Sequence, residues 1–77
     1  MLKLIQLTMV TGSQQDDLEN VTEVTTPMWL NIFEIREFYA RRDGKPGTRI
    51  SFKNSAGIAV HETPQQVADA IAVAQAA

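Results

Sequence analysis

The stretch Thr63-Pro64-Gln65-Gln66 limits the possible folds of this chain more than any other. A threonine before a proline at the first helical position, with glutamine three residues after the threonine, is a capping box. Each of the two polar side chains satisfies an amide that the first turn leaves unpaired. Val67, Ala70, Ile71 and Ala74 then recur at helical spacing, with Gln66 and Asp69 outside the stripe. The result is an amphipathic helix with a narrow, alanine-rich apolar face. Such a helix can cover only one side of a small sheet.

The rest of the chain reads as that sheet. Met1–Val10 is rich in Leu, Ile, Val, Met and Thr and too short for a typical helix. Both its faces are largely apolar, as in a strand buried on two sides. Thr11-Gly12-Ser13 carries breaker residues and Gln14–Asn20 is polar, which predicts a flexible loop, or a short helical turn capped by Ser13. Val21–Thr26 has β-branched enrichment, and Pro27 ends that strand or places it at an edge. Met28-Trp29-Leu30 re-enters the core, and Asn31 can cap one helical turn over Ile32–Glu34. Ile35–Arg42, Thr48–Lys53 and Ile58–Glu62 form a meander, with turns at Asp43–Gly47 and Asn54–Gly57. The predicted class is α+β: a small antiparallel sheet or partial barrel of four to five strands, one C-terminal helix, and residues 1–77 as a single domain.

Leu30-Asn31, Ile35, Phe38, Thr48–Phe52, Gly57–Val60 and Glu62–Val67, with the opening Met1–Leu7, resemble the small flagellar FlbD-like family, the swarming-motility SwrD group. The chain departs from that pattern in the long Gly12–Asn20 segment, in Ile32 after Asn31, and in the lengthened turn Gly44–Gly47. The resemblance implies a small bacterial or phage protein and no catalytic residues.

Seventy-seven residues without cysteine make a domain near the lower limit for a self-sufficient core, with no disulfide or thiolate metal site to supplement it. Domains of that size often gain stability by assembly. The first strand has an apolar opposite side that one helix leaves uncovered, which predicts a homodimer or small homo-oligomer. Ten mixed residues at the start cannot span a bilayer and do not form a signal peptide, so a cytoplasmic location is expected.

Catalytic chemistry is not expected. His61 is the sole histidine, with no second convergent group beside it, and reads as a solvated strand-end residue. Asp16, Asp17, Glu19 and Glu23 lack the alternating spacing of a calcium loop. Gly44-Lys45-Pro46-Gly47 lacks the Gly-Lys-Ser/Thr of a phosphate loop. No cofactor and no metal are anticipated.

The charge layout says more. The net charge is -2, yet six of the seven basic residues lie between positions 36 and 53: Arg36, Arg41, Arg42, Lys45, Arg49 and Lys53. Against Glu37 and Asp43 they give that segment +4. The remainder, one cation against seven acids, carries -6. Such a hairpin could hold phosphates, with Tyr39 or Phe38 for stacking. Solubilising charge at a hairpin tip and an edge guarded by Lys and Arg are the simpler explanation, under which nucleic acid binds weakly or not at all at physiological salt. Trp29 is read as either the main core aromatic or a contact anchor. The expected function is a non-enzymatic module that self-associates and binds another protein. Trp29 and Phe33 would make its apolar contact, and Arg41, Arg42 and Lys45 its polar one. A small nucleic-acid-binding protein using the basic hairpin is the alternative.

Overall fold

A computed structural model describes residues 1–42 and 44–77. Five strands and two helical segments follow in the order β1 (Leu4–Gln15), β2 (Val21–Asn31), a 3-10 turn (Ile32–Glu34), β3 (Ile35–Ala40), β4 (Thr48–Phe52), β5 (Ile58–Val60) and α1 (Pro64–Ala76). All pairings are antiparallel, and the spatial order is β2-β1-β5-β4-β3. The strands form an α+β sheet that is not closed into a barrel, because β2 and β3 remain its two edges. Of the two expected arrangements, the open sheet is the one found.

The helix starts as its sequence dictates. Thr63 Oγ1 accepts from the Gln66 amide at 3.1 Å, and Gln66 Oε1 accepts from the Thr63 amide at 2.9 Å. Val67 is wholly buried, and Ala70, Ile71 and Ala74 pack beside it. At the far end Lys3 Nζ donates to the Gln75 and Ala77 carbonyls, placing a cation where the helix dipole is negative. The core beneath consists of Ile5, Leu7, Leu30, Ile32, Ile50, Val60 and Val67. Asn31 also caps as its position suggests, its Oδ1 accepting from the Phe33 amide.

The break expected at Thr11–Ser13 is strand instead, and of the expected Gln14–Asn20 loop only residues 16–20 form the turn. β1 runs on to Gln15 and β2 begins at Val21, so the two form a ribbon closed by a tight turn at 16–20. A bulge between Val10 and Gly12 accommodates Thr11 without ending the ladder, which is why breaker residues did not break it. Asp16 Oδ1 holds the turn by accepting from the Leu18 and Asn20 amides, and its carboxyl is kept below the usual range, chiefly by the Asn20 amide. Every residue from Thr11 to Thr22 is exposed. β1 is therefore not buried on both sides: Ile5 and Leu7 face the core, whereas Leu4 and Gln6 are exposed.

Glu62 does work that the strands leave undone. β1 meets β5 at a single pair, Met9 with Val60. Just beyond it the Glu62 carboxylate accepts from the Thr8 amide at 2.9 and 3.1 Å and from the Thr8 hydroxyl at 2.9 Å. The buried Thr48 hydroxyl donates to the Glu62 carbonyl at 2.7 Å. One residue thus ties β1, β4 and the helix entry together. Hydrogen bonds to a charged acceptor contribute about 1.5–3 kcal/mol each. Glu62→Ala should lower unfolding free energy by roughly 2–3 kcal/mol in urea titrations, and Glu62→Gln, which keeps one acceptor, by less.

The same contacts orient the sheet edge. Thr8 sends its amide to Glu62 and its carbonyl to the His61 amide, so both point away from β2. Thr8 lies opposite Pro27, which makes that pair non-hydrogen-bonded across the ribbon. The missing Pro27 donor therefore falls on the outer edge, where it breaks no ladder. By strand alternation, Thr25, Trp29 and Asn31 also direct their backbone groups outward. No helix among the described residues is long and apolar enough to cross a membrane.

Candidate functional site

Two surfaces stand out. The first is the basic end of the β3–β4 hairpin. Tyr39 lies directly opposite Arg49 in the β3–β4 register. Together with Arg41, Arg42 and Lys45 they line a cleft of about 390 Å³. Four of the six cations expected there are thereby brought together. Arg36 is instead paired with its exposed neighbour Glu37 at 3.2 Å, and neither it nor Lys53 lines the cleft. Phe38 packs against the core, so the aromatic ring available at this end is Tyr39. Asp43 lies outside the described residues.

Arg41 is already engaged. Its Nη1 and Nη2 donate to the two Glu23 carboxylate oxygens at 2.9 and 3.0 Å, and Nη1 also donates to the Pro46 carbonyl at 3.1 Å. This fork holds the Glu23 carboxyl below, and the Arg41 guanidinium above, their ordinary pKa values. The contact also reports the sheet's shape. Glu23 is on one edge strand and Arg41 just past the other, about 19 Å apart if five strands lay flat. They touch because the sheet is twisted and bulged, at Val10/Gly12 and again at Ile35/Glu37. Sequence reading placed Arg41 among the contact residues and did not pair it with Glu23, since that needs tertiary geometry.

Because folding depresses the Glu23 pKa, its contribution is present above the unfolded carboxylate value and is lost as pH falls through the folded one. Arg41→Met should therefore lower Tm at pH 7. The gap from the unaltered protein should narrow toward about pH 3, read by thermal melts across that range. A gap constant with pH would mean that Arg41 acts through packing alone.

The second surface is the outer edge and face of β2. Trp29 is 63% exposed, outside the core altogether. It lies opposite Gln6 and on the same sheet face as exposed Leu4. Exposed Val73 of the helix lines a shallow groove with Leu4, Ile5 and Gln6. Phe33, by contrast, is half-buried and packs against the core. The sheet face that carries Trp29 is mixed, with Gln6 and Arg49 among its exposed residues. β2 is also poorly defended as an edge. Its eleven residues include no Lys or Arg, one proline, and one acid that Arg41 has already neutralised. The other edge, β3, is six residues long and carries Arg36 and Glu37.

His61 is exposed and borders Val21, Thr22, Glu23 and Thr25. Among the described residues, no three His, Cys, Asp or Glu side chains gather as a metal site. No family model, no curated protein and no solved structure matches this chain.

Proposed function

We propose that this chain is a non-enzymatic interaction module that self-associates and holds another protein. The observation that carries the reading is β2: a long edge free of Lys and Arg, interrupted outward only by Pro27, whose other outward backbone groups lie beside a solvent-exposed tryptophan. Unpaired strand edges recruit further strands, and exposed tryptophan is over-represented at binding hot spots. A second copy fits this edge well. Antiparallel pairing of β2 with itself about Met28 sets Thr25 opposite Asn31 and Trp29 opposite Pro27 of the second copy. The missing proline donors then cost only two of eight ladder bonds. Twofold pairing of this kind closes on itself and leaves no growing end. A heterologous protein would use the same rail, with Trp29 as its apolar contact and Arg42 and Lys45 near the hairpin end as its polar ones.

Thr25→Pro tests the edge. The substitution removes an outward amide and leaves the pairing with β1 intact. It removes two of the six remaining ladder bonds and should shift the folded protein toward monomer by sedimentation velocity, while Trp29→Ala should weaken self-association about 30-fold, the scale of a hot-spot residue. A Thr25→Pro protein that still associates at the unaltered affinity would exclude the edge as the contact.

A further inference from the structure

We infer that the cleft lined by Tyr39, Arg41, Arg42, Lys45 and Arg49 takes single-stranded nucleic acid. The cleft is distinct from the Trp29 end of β2 that self-association uses, although Arg41 in its wall is bonded to Glu23 near the start of that strand. The cleft combines an aromatic ring, set beside a guanidinium by strand register, with cations on its other walls. A phosphate backbone needs the cations, and a base, whatever its identity, needs the ring. Arg41 is fixed in advance by Glu23 and the Pro46 carbonyl, so one wall of the cleft is ordered before any ligand arrives. Arg42, Lys45 and Arg49 are exposed and supply the charge.

A duplex fits less well. Among the described residues, the element that projects far enough to enter a groove is the β1–β2 ribbon, and its turn carries Asp16, Asp17 and Glu19. Those acids repel phosphates. A cleft of about 390 Å³ on an open hairpin end instead admits one unit of a flexible strand.

The test is fluorescence anisotropy with a labelled twelve-nucleotide oligothymidylate and the full chain at low salt. Three cations on phosphates predict a logarithmic salt slope of about -2, or roughly a 20-fold loss between 50 and 200 mM salt. Binding is therefore expected to be weak at physiological ionic strength. Arg42→Glu with Lys45→Glu should abolish binding while far-UV circular dichroism stays unchanged, since both side chains are exposed. Tyr39→Ala should weaken it about tenfold and Tyr39→Phe should restore it, as stacking requires. The control pair Arg36→Glu with Lys53→Glu, outside the cleft, should change affinity less than threefold. The proposal is overturned by any of three results: no binding at 50 mM salt, a control pair as damaging as the cleft pair, or polyglutamate competing as well as unlabelled oligothymidylate.

Discussion

Deleting Pro64–Ala77 should abolish the cooperative thermal transition. Val67 is wholly buried against the sheet, and Ile71 with two alanines extends that contact. Full burial of an aliphatic side chain contributes about 1.5–3 kcal/mol, and a domain of this size has only about 5 kcal/mol to lose. The loss extends beyond the helix. Ile5, Leu7 and Val60 would face water, and Lys3 would lose the carbonyls it caps. Calorimetry on the truncated chain should show no cooperative peak. A cooperative melt near the original temperature would mean that the sheet folds unaided and the helix is an appendage.

Gly47→Ala should be nearly as damaging, although it adds one methyl group. Gly47 sits at φ +109°, a backbone state that costs other residues about 1–3 kcal/mol. A Cβ there would also overlap the Val60 carbonyl oxygen, a backbone atom of the wholly buried β5 strand end. Backbone cannot swing aside as a flexible side chain does, so β4 and β5 would have to separate. The expected loss is at least about 3 kcal/mol, large on the scale of single substitutions. Gly44→Ala is the internal comparison. It shares the positive φ, at +68°, but has open space around it, so its loss should be confined to the backbone term. Equal losses in urea titrations would show that the overlap at Gly47 is relieved by a small shift.

These two sites differ in how far they could be read from sequence. The helix is local chemistry: Thr63, Pro64 and Gln66 state its start within four residues, and the Asn31 cap is equally self-contained. Gly47 was legible as a turn residue, but its approach to Val60 depends on β4 meeting β5. The ribbon was missed because Gly12, Ser13 and the polar residues after them have breaker composition, and a bulge absorbs the irregularity that composition signals. Glu62 was legible only as a strand-end acid. Its role exists because β5 is three residues long and leaves Thr8 without a ladder partner. The charge asymmetry was plain, yet composition could not separate Arg41, spent on Glu23, from Arg42 and Lys45. Nor could it place Trp29, whose exposure follows from falling on the face away from Leu30 and Met28.

If β2 is a contact edge, the mass of the protein in solution depends on its concentration. Light scattering behind gel filtration, run from low micromolar to high micromolar concentration, should give a mass rising toward twice the 8.5 kDa chain. A mass that stays at 8.5 kDa across that range would contradict the account, and would mean that the β2 edge and its tryptophan remain in water.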